Sequence, residues 1–166
     1  MKENNVHFLY PAGLFVSRSG QLISTVLGSC VAVCLWDRIL KYGGMNHFML
    51  PLWNGKGLAS PKYGNIAIEK LYEKMIKMGC NKYNLKAKVF GGGDVISSDN
   101  NVFQIGKRNI IIAEEVLEEL KIPVISSSTG GEKGRKILFN TATGEVIHRY
   151  VQKQSLEQLK KLLTTN

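Results

Sequence analysis

Apolar positions in the first part of the chain come in short blocks separated by turn residues. Residues 6–17 read as short strands broken at Tyr10–Gly13, "YPAG". "QLISTVLGS" (21–29) leads into "CVAVCLWD" (30–37), which is apolar at every position before Asp37. An unbroken apolar run of this length predicts a strand buried on both faces. "DRILKYGG" predicts a turn ending in Gly43-Gly44, and "MNHFML" (45–50) predicts the returning strand, stopped by Pro51. Residues 51–63, rich in Gly, Pro and Ser, predict a loop.

Further on, the period lengthens. From Asn65, Ile66, Ile68, Leu71, Met75 and Met78 approximate the helical repeat, and Gly79 suits the position just past a helix end. Met75 and Met78 read as core residues rather than ligands. "LKAKVF" (85–90) alternates as a strand does and runs into Gly91-Gly92-Gly93-Asp94, followed by a polar loop through Asn101. Residues 106–121 predict a second helix with an Ile/Leu face, and 122–128 a strand. A glycine loop starts at Thr129-Gly130-Gly131. Residues 134–140 and 144–151 predict a hairpin joined by 141–143, and 155–163 a last short helix. Hairpins with two main helices predict an α+β fold or a β-sandwich with helical layers. No repeat, linker or low-complexity segment divides the chain, so residues 1–166 are expected to form one domain.

Composition narrows the class. Hydrophobic residues make up 44% and charged residues 21%, the balance of a soluble globular protein. The three cysteines have no framework spacing, and "MKENNVHFLY" has no secretory signature, which predicts an intracellular, cytoplasmic protein with reduced thiols. The longest apolar run is too short to span a bilayer. The formal net charge of +9 is spread along the chain without a block of five like charges. Basic residues interleaved with aromatics are absent too, which argues against nucleic acid as a partner.

The candidate chemistry lies at Cys30 and His47. A strand that starts at Cys30 and returns through 45–50 brings His47 within reach of the thiol. An imidazole beside a thiol can take its proton and supply the nucleophilic thiolate. Residues alone leave the bland alternative open, since a buried cysteine and a strand histidine are more often structural. Cys34 lies on the same face roughly 13 Å along the strand, too far for a disulfide or shared metal, and reads as core. Cys80 carries no motif. His7 and His148 have no ligands at metal spacing. The glycine loop "FGGGD" (90–94) lacks the Lys-Ser/Thr ending of a phosphate loop, and "TGGEKGRK" (129–136) could be read as a phosphate nest. They read as tight turns needing positive φ, or as places where a partner's backbone approaches closely.

Several motifs occur in one order: "LGSCVAVCLWD" (27–37), "GGMNHFMLP" (43–51), "KYGNIAIEKL" (62–71), "VFGGG" (89–93), "IGKRN" (105–109) and "TGGEKGRKILFNTATGEV" (129–146). Together they resemble the chemoreceptor glutamine deamidase family of bacterial chemotaxis, CheD, over roughly residues 13–150. The resemblance implies a β-sandwich with outer helices, akin to the deamidase domain of cytotoxic necrotizing factor toxins. It implies hydrolysis of receptor glutamine side chains to glutamate with release of ammonia. The family's nucleophile falls on Cys30 and its histidine on His47. Its third residue, a threonine six positions before the cysteine, falls on Ser24, with Thr25 next to it. A Cys30 thioester would form and be hydrolysed, with the backbone N–H of Ser29 or Cys30 as oxyanion donor and no metal or organic cofactor. The implied partners are the cytoplasmic helices of methyl-accepting chemoreceptors and the CheC phosphatase. Two other readings stay open: another Cys–His acyl-transfer enzyme, and a regulator that binds without turnover.

Overall fold

The computed structural model describes residues 5–95 and 104–152. Among the described residues, nine strands form two sheets. Strands β1 (Val6–Phe8), β3 (Leu22–Leu27), β8 (Gly134–Asn140) and β9 (Val146–Val151) make the first, in the order β1-β3-β8-β9. Strands β2 (Leu14–Ser17), β4 (Val31–Asp37), β5 (Tyr42–Asn46), β6 (Leu85–Gly91) and β7 (Val124–Thr129) make the second, in the order β2-β5-β4-β6-β7. The β1/β3 and β6/β7 pairs are parallel and the rest antiparallel. Helices α1 (Gly64–Lys77) and α2 (Ile105–Glu119) and a single 3-10 turn at Lys82–Asn84 complete the described elements. This is the expected α+β arrangement of two packed sheets with helices outside.

Strand β4 explains the layering. It is central in the second sheet, between β5 and β6. Its odd-numbered Val31, Val33 and Leu35 pack under Ala67, Ile68, Leu71 and Met75 of α1 and Ile112, Ala113, Val116 and Leu117 of α2. Ala32 and Cys34 point the other way, against Ile23, Leu27, Ile137 and Phe139 of the first sheet. The unbroken apolar run thus fills two cores at once, one per face. Cys34 is core, as expected. The helix expected from Asn65 is α1, and Gly79, at φ 108°, follows its end. Its buried face uses Ala67 with Ile68, Leu71 and Met75, while Ile66 and Met78 are only partly buried.

Two local expectations change. Gly43 and Gly44 do not end a turn; they lie inside β5. The turn is residues 38–41, closed by the Asp37 carboxylate, which accepts the N–H of Ile39 and of Leu40 at 2.9 Å each. The glycines are needed for packing. A Cβ at Gly43 would lie 2.9 Å from the Thr141 backbone, and one at Gly44 would lie 2.6 Å from Val16 Cγ1 and 2.9 Å from Leu71 Cδ1. The returning strand is also interrupted. Its ladder with β4 ends at Met45 and resumes only as a single bridge between Val31 and Phe48. The Asn46 side chain causes the gap, because its Oδ1 accepts the Val33 N–H at 2.8 Å. The polar loop through Asn101 and the helix at 155–163 lie largely or wholly outside the described residues.

The chain changes sheets repeatedly, and three of these corners gather at one end of the sandwich. They are Leu9–Gly13 (β1 to β2), Gly28–Cys30 (β3 to β4) and Gly130–Lys133 (β7 to β8). Each corner leaves backbone groups without a ladder partner, and these pair instead with His47, with the 91–94 segment after β6 and with Asn109.

Because Gly44 is wedged between β2 and α1, Gly44→Ala is expected to destabilise the chain by about 1–3 kcal/mol. Urea unfolding of the two proteins measures it; equal midpoints would refute the packing argument.

Candidate active site

Cys30 ends the Gly28–Cys30 corner, partly buried against the core between the sheets. Cys34 stands opposite Met45 and Val31 opposite Phe48, so His47 falls opposite Ala32. Cys30 is then one diagonal step away on the same face, a neighbour at about 7–8 Å between backbones that long side chains bridge. His47 is 2% exposed. The break in β5 frees its backbone from β4, and the first corner takes it over. Ala12 N–H donates to the His47 carbonyl at 2.8 Å, and His47 N–H donates to the Gly13 carbonyl at 3.2 Å.

The imidazole is fixed by Thr25. The Thr25 hydroxyl lies 2.7 Å from His47 Nδ1 and 2.7 Å from the Leu9 carbonyl oxygen. A hydroxyl has one proton, and a carbonyl can only accept. The Thr25 proton therefore goes to Leu9, and the neutral ring must carry its proton on Nδ1. The lone pair is then on the buried Nε2, the nitrogen suited to receive a thiol proton.

The structure brings Thr25, not Ser24, to His47. In β3 alternate side chains face opposite ways. Thr25 pairs with Ile137 and turns inward, whereas Ser24 pairs with Leu138 on the other face. The buried Ser24 hydroxyl has no hydrogen-bond partner. Ser29 lies in the middle of the Gly28–Cys30 corner between β3 and β4.

Three consecutive carbonyls of the corner are anchored. Gly28 O accepts from Gly93 N–H and Cys30 O from Gly92 N–H, both at 2.9 Å. Ser29 O accepts from Asn109 Nδ2 at 3.0 Å, and the same nitrogen reaches Met49 O at 3.1 Å. Asn109 is a site residue that the motif reading did not single out. Its signal was an amide on the face that Ile112, Ala113 and Val116 continue at helical spacing.

The glycine loops are the tight turns expected. Gly91, Gly92, Gly130 and Gly131 all have positive φ. The backbone that approaches closely is the protein's own: a Cβ on Gly91 would collide with the Cys30 carbonyl. The amides a phosphate would need are already given to Cys30, Gly28 and, from Asp94, to Gly131. Arg135, 2% exposed, holds the third corner through Ser128 Oγ at 3.0 Å and Gly130 O at 2.8 Å. Ser128 and the Arg135 guanidinium draw the Tyr150 phenol below its usual range.

The other thiols are held protonated. Burial pushes Cys34 far above the ordinary thiol range. Burial and the Asp37 carboxylate, to which its S–H donates, push Cys80 up to about 12. His7 stacks on Phe15 at 4.0 Å, and His148 lies against Phe90 and Tyr150.

Residues 49–150 match the family model for CheD chemotactic sensory transduction. The chain belongs to the CheD family. It is 53% identical over 141 residues to the probable chemoreceptor glutamine deamidase CheD of Trichlorobacter lovleyi, covering 85% of this chain and 88% of that one. Identity is 48% to the probable CheD deamidase of Sulfurimonas denitrificans (88% and 94% covered) and 46% to that of Rhodospirillum rubrum (87% and 82%). A solved structure, the Bacillus licheniformis hypothetical protein YfiH, overlaps 77% of this chain and 60% of its own at 12% identity and a TM-score of 0.47. Among the described residues, no helix is long and apolar enough to cross a membrane.

Two measurements check this geometry. In 15N spectra of the imidazole, Thr25→Val should shift His47 Nδ1 and Ser24→Ala should leave it in place; the reverse would return the contact to Ser24. Alkylation of the folded protein at about pH 8 should label Cys30 well before Cys34 and Cys80. Equal labelling would mean that burial does not protect them.

Proposed function

We propose that the chain is a protein-glutamine deamidase acting on chemoreceptors, with Cys30 as nucleophile, His47 as general base and acid, and Thr25 as the residue that orients His47. The observation that carries this reading is the relay from Leu9 O through Thr25 to His47 Nδ1, which leaves Nε2 basic on the face shared with Cys30. Membership of a family whose relatives are named chemoreceptor glutamine deamidases supports the substrate.

In this mechanism Nε2 takes the Cys30 proton, and the thiolate sulfur bonds to the glutamine Cδ. The carbonyl π pair moves to oxygen, and the N–H groups of the Gly28–Cys30 corner stabilise the oxyanion. Imidazolium returns the proton to the amide nitrogen as the C–N bond breaks, and ammonia departs. Water, deprotonated by His47, then attacks the thioester, releasing glutamate and restoring the thiol. Each proton gained by His47 is given back within its half-reaction.

The receptor's cytoplasmic helices are the proposed substrate surface, and the CheC phosphatase a competitor for the same face. A chain of net charge +9 should find an acidic helical bundle faster at low salt.

The test is mass spectrometry of a receptor cytoplasmic fragment together with ammonia release. Cys30→Ala should abolish both. Thr25→Val should lower kcat about 10- to 100-fold, while Ser24→Ala stays within about twofold. Undiminished deamidation by Cys30→Ala would sink the mechanism. A kcat/KM independent of ionic strength would remove the steering idea.

A further inference from the structure

A thioester mechanism at Cys30 needs more than a nucleophile and a base. The amide of Cys30 must point at the place where negative charge develops. In a trans peptide the C=O and the following N–H point in opposite directions. Among the described residues no peptide is cis. Whatever holds the Ser29 carbonyl therefore also aims the Cys30 N–H.

We infer that Asn109 is the positioning residue of the oxyanion donor: its amide holds the Ser29 carbonyl toward α2 and so turns the Cys30 N–H toward the substrate side. Asn109 is fully buried, and Nδ2 spends its two protons on Ser29 O and Met49 O. With both donors engaged, Asn109 cannot itself bind the oxyanion, so it acts through the peptide. Gly93 N–H holds the preceding carbonyl in the same way, which sets the Ser29 N–H. Helix α2 can come this close because Gly92 and Gly106 lack side chains; a Cβ on Gly106 would sit 2.6 Å from the Gly92 carbonyl oxygen. His47 is held separately, by Ala12, Gly13 and Thr25. The thiol and its base should thus survive loss of Asn109, while stabilisation of the tetrahedral intermediate should not.

This inference rests on the proposed mechanism, and the experiment separates the two. Asn109→Ala and the milder Asn109→Ser are compared with wild type in receptor-fragment deamidation, in Cys30 alkylation by iodoacetamide across pH, and in thermal melting. Alkylation is a displacement at carbon that forms no oxyanion. In whichever variants melt cooperatively, kcat should fall about 100-fold for Ala and less for Ser. KM and the alkylation pH profile should stay within about threefold of wild type. Unchanged kcat would overturn the inference, and so would alkylation falling in parallel with kcat or neither variant folding, because Asn109 would then be a structural support only. Cys30→Ala run alongside identifies failure of the mechanism itself, since an active Cys30→Ala removes the thioester whatever Asn109 does.

Discussion

At the corner between β3 and β4, three successive carbonyls turn away from the site and are each held by a donor from elsewhere in the chain. Gly93 and Gly92 hold Gly28 and Cys30 from the end of β6, and Asn109 holds Ser29 from α2. A chain passing from one sheet to another leaves its ladder partners behind, and its polar groups must find others or be buried at a cost. Here the replacements come from the two-sided layer around β4. The corner is therefore as fixed as the strands it joins, though it belongs to neither sheet.

The same logic explains why the histidine is where β5 stops being regular. A strand residue with both backbone groups in a ladder is held by its neighbours on that ladder. Asn46 Oδ1 fills the Val33 N–H position, so the His47 backbone is released to the Leu9–Gly13 corner. That corner already holds Thr25 through Leu9 O. Backbone and ring of His47 are thus tied to one turn, and the relative placement of base and tautomer does not depend on a flexible side chain.

Much of this was readable in the sequence, at different levels. The fully apolar run 30–37 carried the buried central strand, and the period change at 65 carried α1. The return from Cys30 through 45–50 brought His47 within reach, because hairpin pairing is local. The third side chain was not readable in the same way. Ser24 and Thr25 are adjacent hydroxyls, and in a strand one residue of register decides which of them faces inward. That register is set by pairing with β8, more than 100 residues away, through Thr25 with Ile137. Gly43-Gly44 misled for a related reason. Glycine signals a turn when only local conformation is considered, but here Thr141, Val16 and Leu71 demand the missing Cβ. Asn109 needed both layers at once, since its two acceptors come from the cysteine's corner and the segment after the histidine.

Positioning of this kind leaves a mark on stability. Among the buried polar atoms without a hydrogen-bond partner are Asn46 Nδ2 and Asn109 Oδ1. In each residue the other half of the amide holds backbone beside the site. An unsatisfied buried polar group costs about 1–3 kcal/mol. An apolar residue of similar size would avoid that cost, yet it would release Val33 N–H in one case and two carbonyls in the other. The amide is retained where fixing a peptide plane outweighs leaving one of its own atoms unanswered. Functional sites are where such local violations concentrate. Asn46 fixes Val33 within β4 from the neighbouring β5, and Asn109 fixes the corner that leads into β4, so both amides act on the backbone that places the cysteine.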